Sequence, residues 1–214
     1  MDGNRRWATA QKLPSLMGHK KGQEVFLNCV RWLRDEGISH GVFYAFSTEN
    51  WQRSTDEVTY LTALFSDLLD QVTAEILHEK VRVRIVGKRE DFSGEIQNKI
   101  RLLEEKSQSY TDTTIWVALS YGGRAEIIQA VNKAVALGHA IDEAAFTQLL
   151  WTAELPDPDM IIRTSGEHRL SNFLLWSSAY SELYFLEKEW PALAKTDFVD
   201  ILIEYERRER RRGK

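Results

Sequence analysis

Three stretches of this sequence concentrate hydroxyls, glycines and arginines: Ser47-Thr48-Glu49-Asn50-Trp51-Gln52-Arg53, Ser120-Tyr121-Gly122-Gly123-Arg124 and Arg163-Thr164-Ser165-Gly166-Glu167-His168-Arg169. The planar fork of arginine matches phosphate oxygens, and glycine lets backbone N–H groups come close to them. Several such loops together suit a diphosphate, or two of them, better than a lone carboxylate. A single arginine more often makes a surface salt bridge, an explanation that weakens as the loops accumulate. Asp2, in Asp-Gly-Asn-Arg-Arg-Trp, adds a carboxylate, and among phosphate-binding groups a carboxylate is a natural Mg²⁺ ligand. Taken alone, an Asp-Gly-Asn run is more often just a turn. No glycine-rich turn ends in Gly-Lys-Ser/Thr and no Gly-x-Gly-x-x-Gly follows a strand, so nucleotide-cofactor readings have little support.

The elements that must position these groups are read from hydrophobic periodicity. Residues 20–36 form a helix with Phe26, Cys29, Val30 and Leu33 on one face and Gly37 as its stop. Val42 to Phe46 is a short apolar run, expected as a strand buried on both faces. A long amphipathic helix follows, with Leu61, Leu64, Phe65, Leu68, Val72 and Ile76 in register. Such a stripe is usually core packing; beside a phosphate site it could also wall a tunnel for a ligand with an ionic head and an apolar tail. Strands are expected at 81–86, ended by Gly87, at 115–119, and at 160–162. Helices are expected around 96–103, 126–135 and 197–212. Strands alternating with helices imply an α/β fold, a mostly parallel central sheet flanked by helices. The three polar stretches then all leave the carboxyl edge of that sheet, where ligands of such folds bind.

The whole chain is consistent with one soluble domain spanning 1–214. Hydrophobic residues are 43% and charged residues 28% of 214. No run of eighteen apolar residues occurs, and the first residues lack the apolar segment of a signal peptide. Cys29 is the only cysteine, which leaves no disulfide framework or cysteine zinc site. These features read as cytoplasmic. A net charge of −4 argues against a dedicated nucleic-acid binder, although residues 206–214 hold six basic and two acidic side chains. Such a tail is most simply a solvated helix end.

Taken in order, the motifs resemble those of the cis-prenyltransferases, the undecaprenyl diphosphate synthase family. Met1-Asp2-Gly3-Asn4-Arg5-Arg6-Trp7-Ala8 with Gly18-His19-x-x-Gly22 is similar to the family's opening motif. Phe46 to Arg53 with Glu57, Tyr121-Gly122-Gly123-Arg124, and Ile162 to Phe173 followed by Glu182-Leu183-Tyr184-Phe185 resemble the rest. The resemblance implies an enzyme that adds isopentenyl diphosphate to an allylic diphosphate with Mg²⁺ as cofactor. It implies that Asp2 holds the metal, with Glu182 and His168 completing the metal site. Gly3, Asn4, Arg5 and Arg6 would cradle the allylic diphosphate with His19 beside them, and Trp7 would lie near the entrance. Asn50 would help remove a proton, while Ser47, Trp51 and Arg53 line the same pocket with Thr48 and Glu49. Arg163, Arg169 and Ser171, with Leu170, would grip isopentenyl diphosphate. Arg211 and Gly213 match the family's C-terminal Arg-x-Gly, which in homodimers reaches over the neighbouring subunit's site.

Three departures accompany the match. A short apolar strand precedes Asp-Gly-Asn in the family, and the beginning at Met1 is read as lying downstream of a natural start. Ser15 stands where an arginine is frequent. Trp116 and Leu119 are bulky for a strand near the product tunnel, where they would favour a shorter product, yet Trp116 serves equally well as core; Ala45 is small. A non-catalytic accessory subunit is the rival reading, and a phosphate-ester hydrolase ranks lower because no nucleophile is set beside a matched base.

Overall fold

Thr114-Ile115-Trp116-Val117-Ala118-Leu119-Ser120-Tyr121 is apolar without alternation, a pattern stable as a strand only when both faces are covered. All eight of its residues are buried. The structure, a computed structural model, describes residues 1–209, without the side chains at 72, 74, 76 and 77. Its elements in chain order begin with α1 (Asn4–Ala10), α2 (Ser15–Asp35), β1 (His40–Ser47), a 3₁₀ turn (Thr48–Gln52) and α3 (Thr55–Glu79). There follow β2 (Arg82–Val86), a second 3₁₀ turn (Arg89–Asp91), α4 (Gly94–Ser107), β3 (Thr114–Tyr121), α5 (Gly123–Leu137) and α6 (Glu143–Thr147). The described chain ends with β4 (Met160–Arg163), β5 (Glu182–Phe185), a third 3₁₀ turn (Trp190–Ala192) and α7 (Lys195–Arg207).

The elements divide into two compact units. The first combines Met1–Trp32, Asp157–Ser171 and the chain from Trp176 onward; the second is Leu33–Pro156 with Asn172–Leu175. The expected parallel α/β architecture is present, with its strands shared between two sheets. β1-β3-β2 lies in the second unit and β4-β5 in the first, every pairing parallel.

In the first unit, α2 buries Phe26, Cys29 and Val30, the face its spacing predicts, and burial pushes the Cys29 thiol up to about 12. The helix starts five residues earlier than expected. Ile161, Tyr184, Trp190, Phe198 and Ile201 complete this core. Two glycines let α1 lie against α2: a Cβ on Gly18 would come 1.8 Å from the Asn4 carbonyl oxygen, and one on Gly22 would meet Asn4 Oδ1 at 2.4 Å.

In the second unit, Val83 and Ile85 of β2 and Ile96, Ile100 and Leu103 of α4 are buried with β3. Trp116 belongs to the core, grouped with Val86, Tyr121 and Leu174, and its indole N–H donates to His40 at 3.1 Å. β1 is an edge strand, so within its 42–46 apolar run only Phe43 and Phe46 are buried and Ala45 is exposed, not the two-sided burial that run suggested. On α3, Leu61, Leu64, Phe65 and Leu68 are half-buried, and among its described apolar side chains only Leu69 is deep in the core. Val72 and Ile76 lie outside the described side chains. Asp67 and Asp70 are exposed, Asp70 pairing with Lys99 at 2.9 Å.

Candidate active site

The first unit builds a turn around Asp2. The Asp2 amide donates to Thr164 Oγ1 at 2.9 Å, and the Asp2 carbonyl accepts the Trp190 amide at 2.9 Å. The chain just past β4 and the third 3₁₀ turn thus pin its backbone. Gly3 follows at φ +94°, where a Cβ would come within 2.6 Å of Ser165 Oγ and 2.7 Å of Glu189, so only glycine fits. The Asp2 carboxylate accepts the Gly3 amide at 2.7 Å and the Arg163 guanidinium at 3.0 Å. Burial works against its charge. The Arg163 hydrogen bond, the Gly3 amide and the charges of Arg163 and Arg6 outweigh that and hold its pKa below the ordinary aspartate value.

Arg163 is itself clamped, donating to the Arg169 carbonyl and to Ser171 Oγ at 2.6 Å. Arg6 donates to the Ser165 carbonyl at 3.2 Å and pairs with Glu167 at 3.2 Å. Arg5 is exposed, while Asn4, Trp7 and His19 are half-buried. α1 starts at Asn4, and first-turn amides of a helix have no intrahelical acceptor. An ionised carboxylate, a helix start and arginines gathered on one turn suit phosphoryl oxygens and a hard cation.

Of the remaining first-unit candidates, Arg169 joins this network through Glu167, whereas Glu182 lies further along the strands. In the β4–β5 register Arg163 faces Phe185 whereas Glu182 faces Met160, at the other end of the pair. The Glu182 carboxylate is engaged by Arg208 at 2.8 Å. His168 is exposed and stacks on Phe185 with centroids 4.8 Å apart. Arg169 is exposed and pairs with Glu167, and Leu170 is half-buried. Among the described residues, no group of three or more His, Cys, Asp or Glu forms a ready-made metal cage. Arg211 and Gly213 lie outside the described residues.

The second unit positions the 47–53 stretch. Asn50 sits in the 3₁₀ turn, its carboxamide oxygen accepting the Ser47 amide at 3.0 Å. Arg53 pairs with Glu57 at 2.8 Å, and Thr48 donates to Glu49 at 3.1 Å. Sequence reasoning missed Asn172 here. Its Nδ2 donates to Glu49 at 2.8 Å, its Oδ1 accepts the Arg124 amide at 2.8 Å, and its carbonyl accepts the Gly123 amide at 2.7 Å. Gly122 leaves the room: a Cβ there would meet Thr48 Oγ1 at 2.5 Å and Asn172 Nδ2 at 2.7 Å. Sequence reasoning also missed Glu126, buried at 1% exposure. It accepts the Tyr121 hydroxyl at 2.5 Å, and the amide and hydroxyl of Thr152 at 3.0 and 2.7 Å. Asn172 lies inside the Ile162 to Phe173 run matched to the family but carried no assigned role, and Glu126 had only its nearness to Tyr-Gly-Gly-Arg as a signal.

An arginine-held aspartate on a glycine turn is chemistry suited to a phosphate-bearing ligand. Comparison with known proteins narrows this. A family model described as "Putative undecaprenyl diphosphate synthase" matches residues 1–213. An isoprenyl transferase of Thermotoga maritima is 46% identical over 100% of this chain and 94% of its own length. Among solved structures, lavandulyl diphosphate synthase from Lavandula x intermedia in complex with dimethylallyl diphosphate has a TM-score of 0.96 at 32% identity. The match covers 100% of this chain and 95% of that one. A probable undecaprenyl diphosphate synthase from Campylobacter jejuni has a TM-score of 0.83 at 35% identity, over 91% of this chain and 93% of that one. The chain belongs to the undecaprenyl diphosphate synthase family of prenyltransferases. Among the described residues, no helix is long and apolar enough to cross a membrane.

Proposed function

We propose that this chain condenses isopentenyl diphosphate onto an allylic diphosphate, such as farnesyl or geranyl diphosphate, leaving a Z double bond. The product would be a polyprenyl diphosphate such as undecaprenyl diphosphate, a lipid carrier for cell-wall synthesis. The observation that carries the reading is Asp2, held ionised by Arg163 on a turn only Gly3 permits, in a chain so similar to an isoprenyl transferase. The dimethylallyl diphosphate in the Lavandula relative supports an allylic diphosphate as ligand.

Mg²⁺ uses one or two carboxylates and fills its shell with water and substrate phosphate oxygens. Asp2, ionised and with a side chain 39% exposed, fits that habit. Glu182 and His168 are proposed as further ligands on the motif alone. When bound, the metal would neutralise diphosphate charge as the leaving group departs. Gly3, Asn4, Arg5, Arg6 and His19 are proposed to hold the allylic diphosphate, with Trp7 nearby. Arg163, Arg169, Leu170 and Ser171 are proposed to hold isopentenyl diphosphate, with Arg211 and Gly213 of a neighbouring copy.

In the reaction the allylic C–O bond breaks with its electron pair leaving on diphosphate, and the isopentenyl double bond attacks the cationic carbon. One proton is then lost. Holding the partners in line is a positioning task. Asn50 is proposed to assist the proton loss, and Ser47, Thr48, Glu49, Trp51 and Arg53 to shape that region. The half-buried Leu61, Leu64, Phe65 and Leu68 support an apolar surface for the growing tail. Catalysis is favoured over an accessory role because Asp2, Asn50, Arg53, Arg163 and Glu182 are all present.

A homodimer is also proposed. Ile128 and Val135 on α5 are 60% and 74% exposed, which supports a covering copy. Sedimentation equilibrium that finds only monomer at micromolar concentration overturns it. The activity is tested by incubating the protein with Mg²⁺, radiolabelled isopentenyl diphosphate and allylic starters of several lengths. Elongated products resolved by chromatography are expected, and none under any condition refutes the proposal.

A further inference from the structure

The end of β3 carries a hydrogen-bonded device in which Ser120 and Asp91 have no role in the function proposed above. Phe46 pairs with Leu119 and Ser47 with Tyr121, so Ser120 is left unpaired in a bulge. Its φ is +44°, a conformation that L side chains other than glycine seldom adopt. Bulges of this kind re-aim a side chain. The Ser120 hydroxyl, fully buried, accepts the Trp51 indole N–H at 2.8 Å and donates to the Asp91 carboxylate. Gly87 makes the arrangement possible: at its φ of +118° a Cβ would come 2.0 Å from the Leu119 carbonyl oxygen. The Lys88 amide then reaches the Ser120 carbonyl at 3.2 Å. The rings of Phe46 and Phe92 flank the indole, with centroids 4.9 and 5.3 Å away.

A serine hydroxyl can turn either its hydrogen or a lone pair toward a neighbour. By accepting that hydrogen, Asp91 keeps a lone pair facing Trp51. Trp51 shares its 3₁₀ turn with Asn50. Packing alone would be satisfied by an apolar residue without a left-handed backbone, so the strained serine points to orientation.

We propose that Asp91 and Ser120 are positioning residues for prenyl transfer, fixing the Trp51 indole and with it the turn that carries Asn50. This rests on the function proposed above. Asp91 is exposed, so its truncation leaves the core intact. The test compares wild type, Asp91→Ala and Asp91→Asn in two readouts. One is kcat and KM for both diphosphates. The other is the Trp51 indole N–H resonance in ¹⁵N-labelled protein, assigned with Trp51→Phe. Asp91→Ala is expected to lower kcat about tenfold with both KM values within about twofold, to shift the Trp51 resonance and to speed its hydrogen exchange. Asp91→Asn, which still accepts the hydroxyl proton, is expected to restore both. An active wild type with an equally active Asp91→Ala overturns the positioning role alone. So does a loss that Asp91→Asn fails to rescue, or an unmoved Trp51 resonance. A wild type that elongates no starter defeats the prenyl-transfer reading, and the positioning role falls with it.

Discussion

Asp2 in the first unit and Glu126 in the second are both carboxylates wired by hydrogen bonds, yet their surroundings differ in kind. Asp2 keeps 39% of its side chain exposed, and arginine and amide donors hold its charge in place. Glu126 is 1% exposed, and its oxygens are taken up by Tyr121 and Thr152, ties that bind the start of α5 to the segment after α6. A buried acceptor stabilises when its donors match it and is expensive to remove. An oriented carboxylate with an open side can take a ligand. The contrast separates a group that holds the fold from one that the fold holds ready.

The contrast breaks most sharply at Asp2. Asp2→Ala is expected to reduce kcat by a factor on the order of 10³ while the thermal midpoint moves by only a few degrees. Near-normal turnover would remove the metal-binding role. Glu126→Ala should do the opposite, lowering unfolding stability in urea by about 3 kcal/mol because it strands the Tyr121 hydroxyl and the Thr152 donors. A change below about 1 kcal/mol would show the network to be dispensable. Asn172→Ala tests an intermediate case, since its partners Glu49 and Arg124 are exposed. A loss of about 1–2 kcal/mol is expected, read from the urea midpoint at constant m.

The smallest effect is one of pH. The pKa of Asp2 is depressed in the folded chain, so its contribution to stability is present above the ordinary aspartate pKa and is lost as pH falls through the folded value. Stability should therefore decline below about pH 4, and Asp2→Asn should flatten that limb of the curve. Because Asp2 is partly exposed, solvent screening keeps the effect modest. Superimposable curves for the two proteins would mean that its charge contributes nothing to folding.

Much of this was legible beforehand. The spacing of Phe26, Cys29, Val30 and Leu33 specifies the buried face of α2, because three- and four-residue steps return to one side of a helix. The unbroken apolar run of β3 marks a covered strand. The edge position of β1 could not be read, since an edge strand and a central one differ in their neighbours and not in their own composition. The same holds for the division of the strands between two sheets, and for α3, whose stripe is real but only half covered.

Motif order from Asp2 to Phe185 was enough to identify the family, and local chemistry was enough to nominate arginines and glycines for phosphate. Those properties depend on residue type and on steps of a few residues. Which donors meet which acceptors was decided by tertiary structure alone. Asp2 meets Arg163, 161 positions away, Glu49 meets Asn172, and Ser120 turns toward Trp51 through a bulge. Contacts between distant segments depend on how strands pair and where the register slips, and no local pattern in a single sequence encodes that.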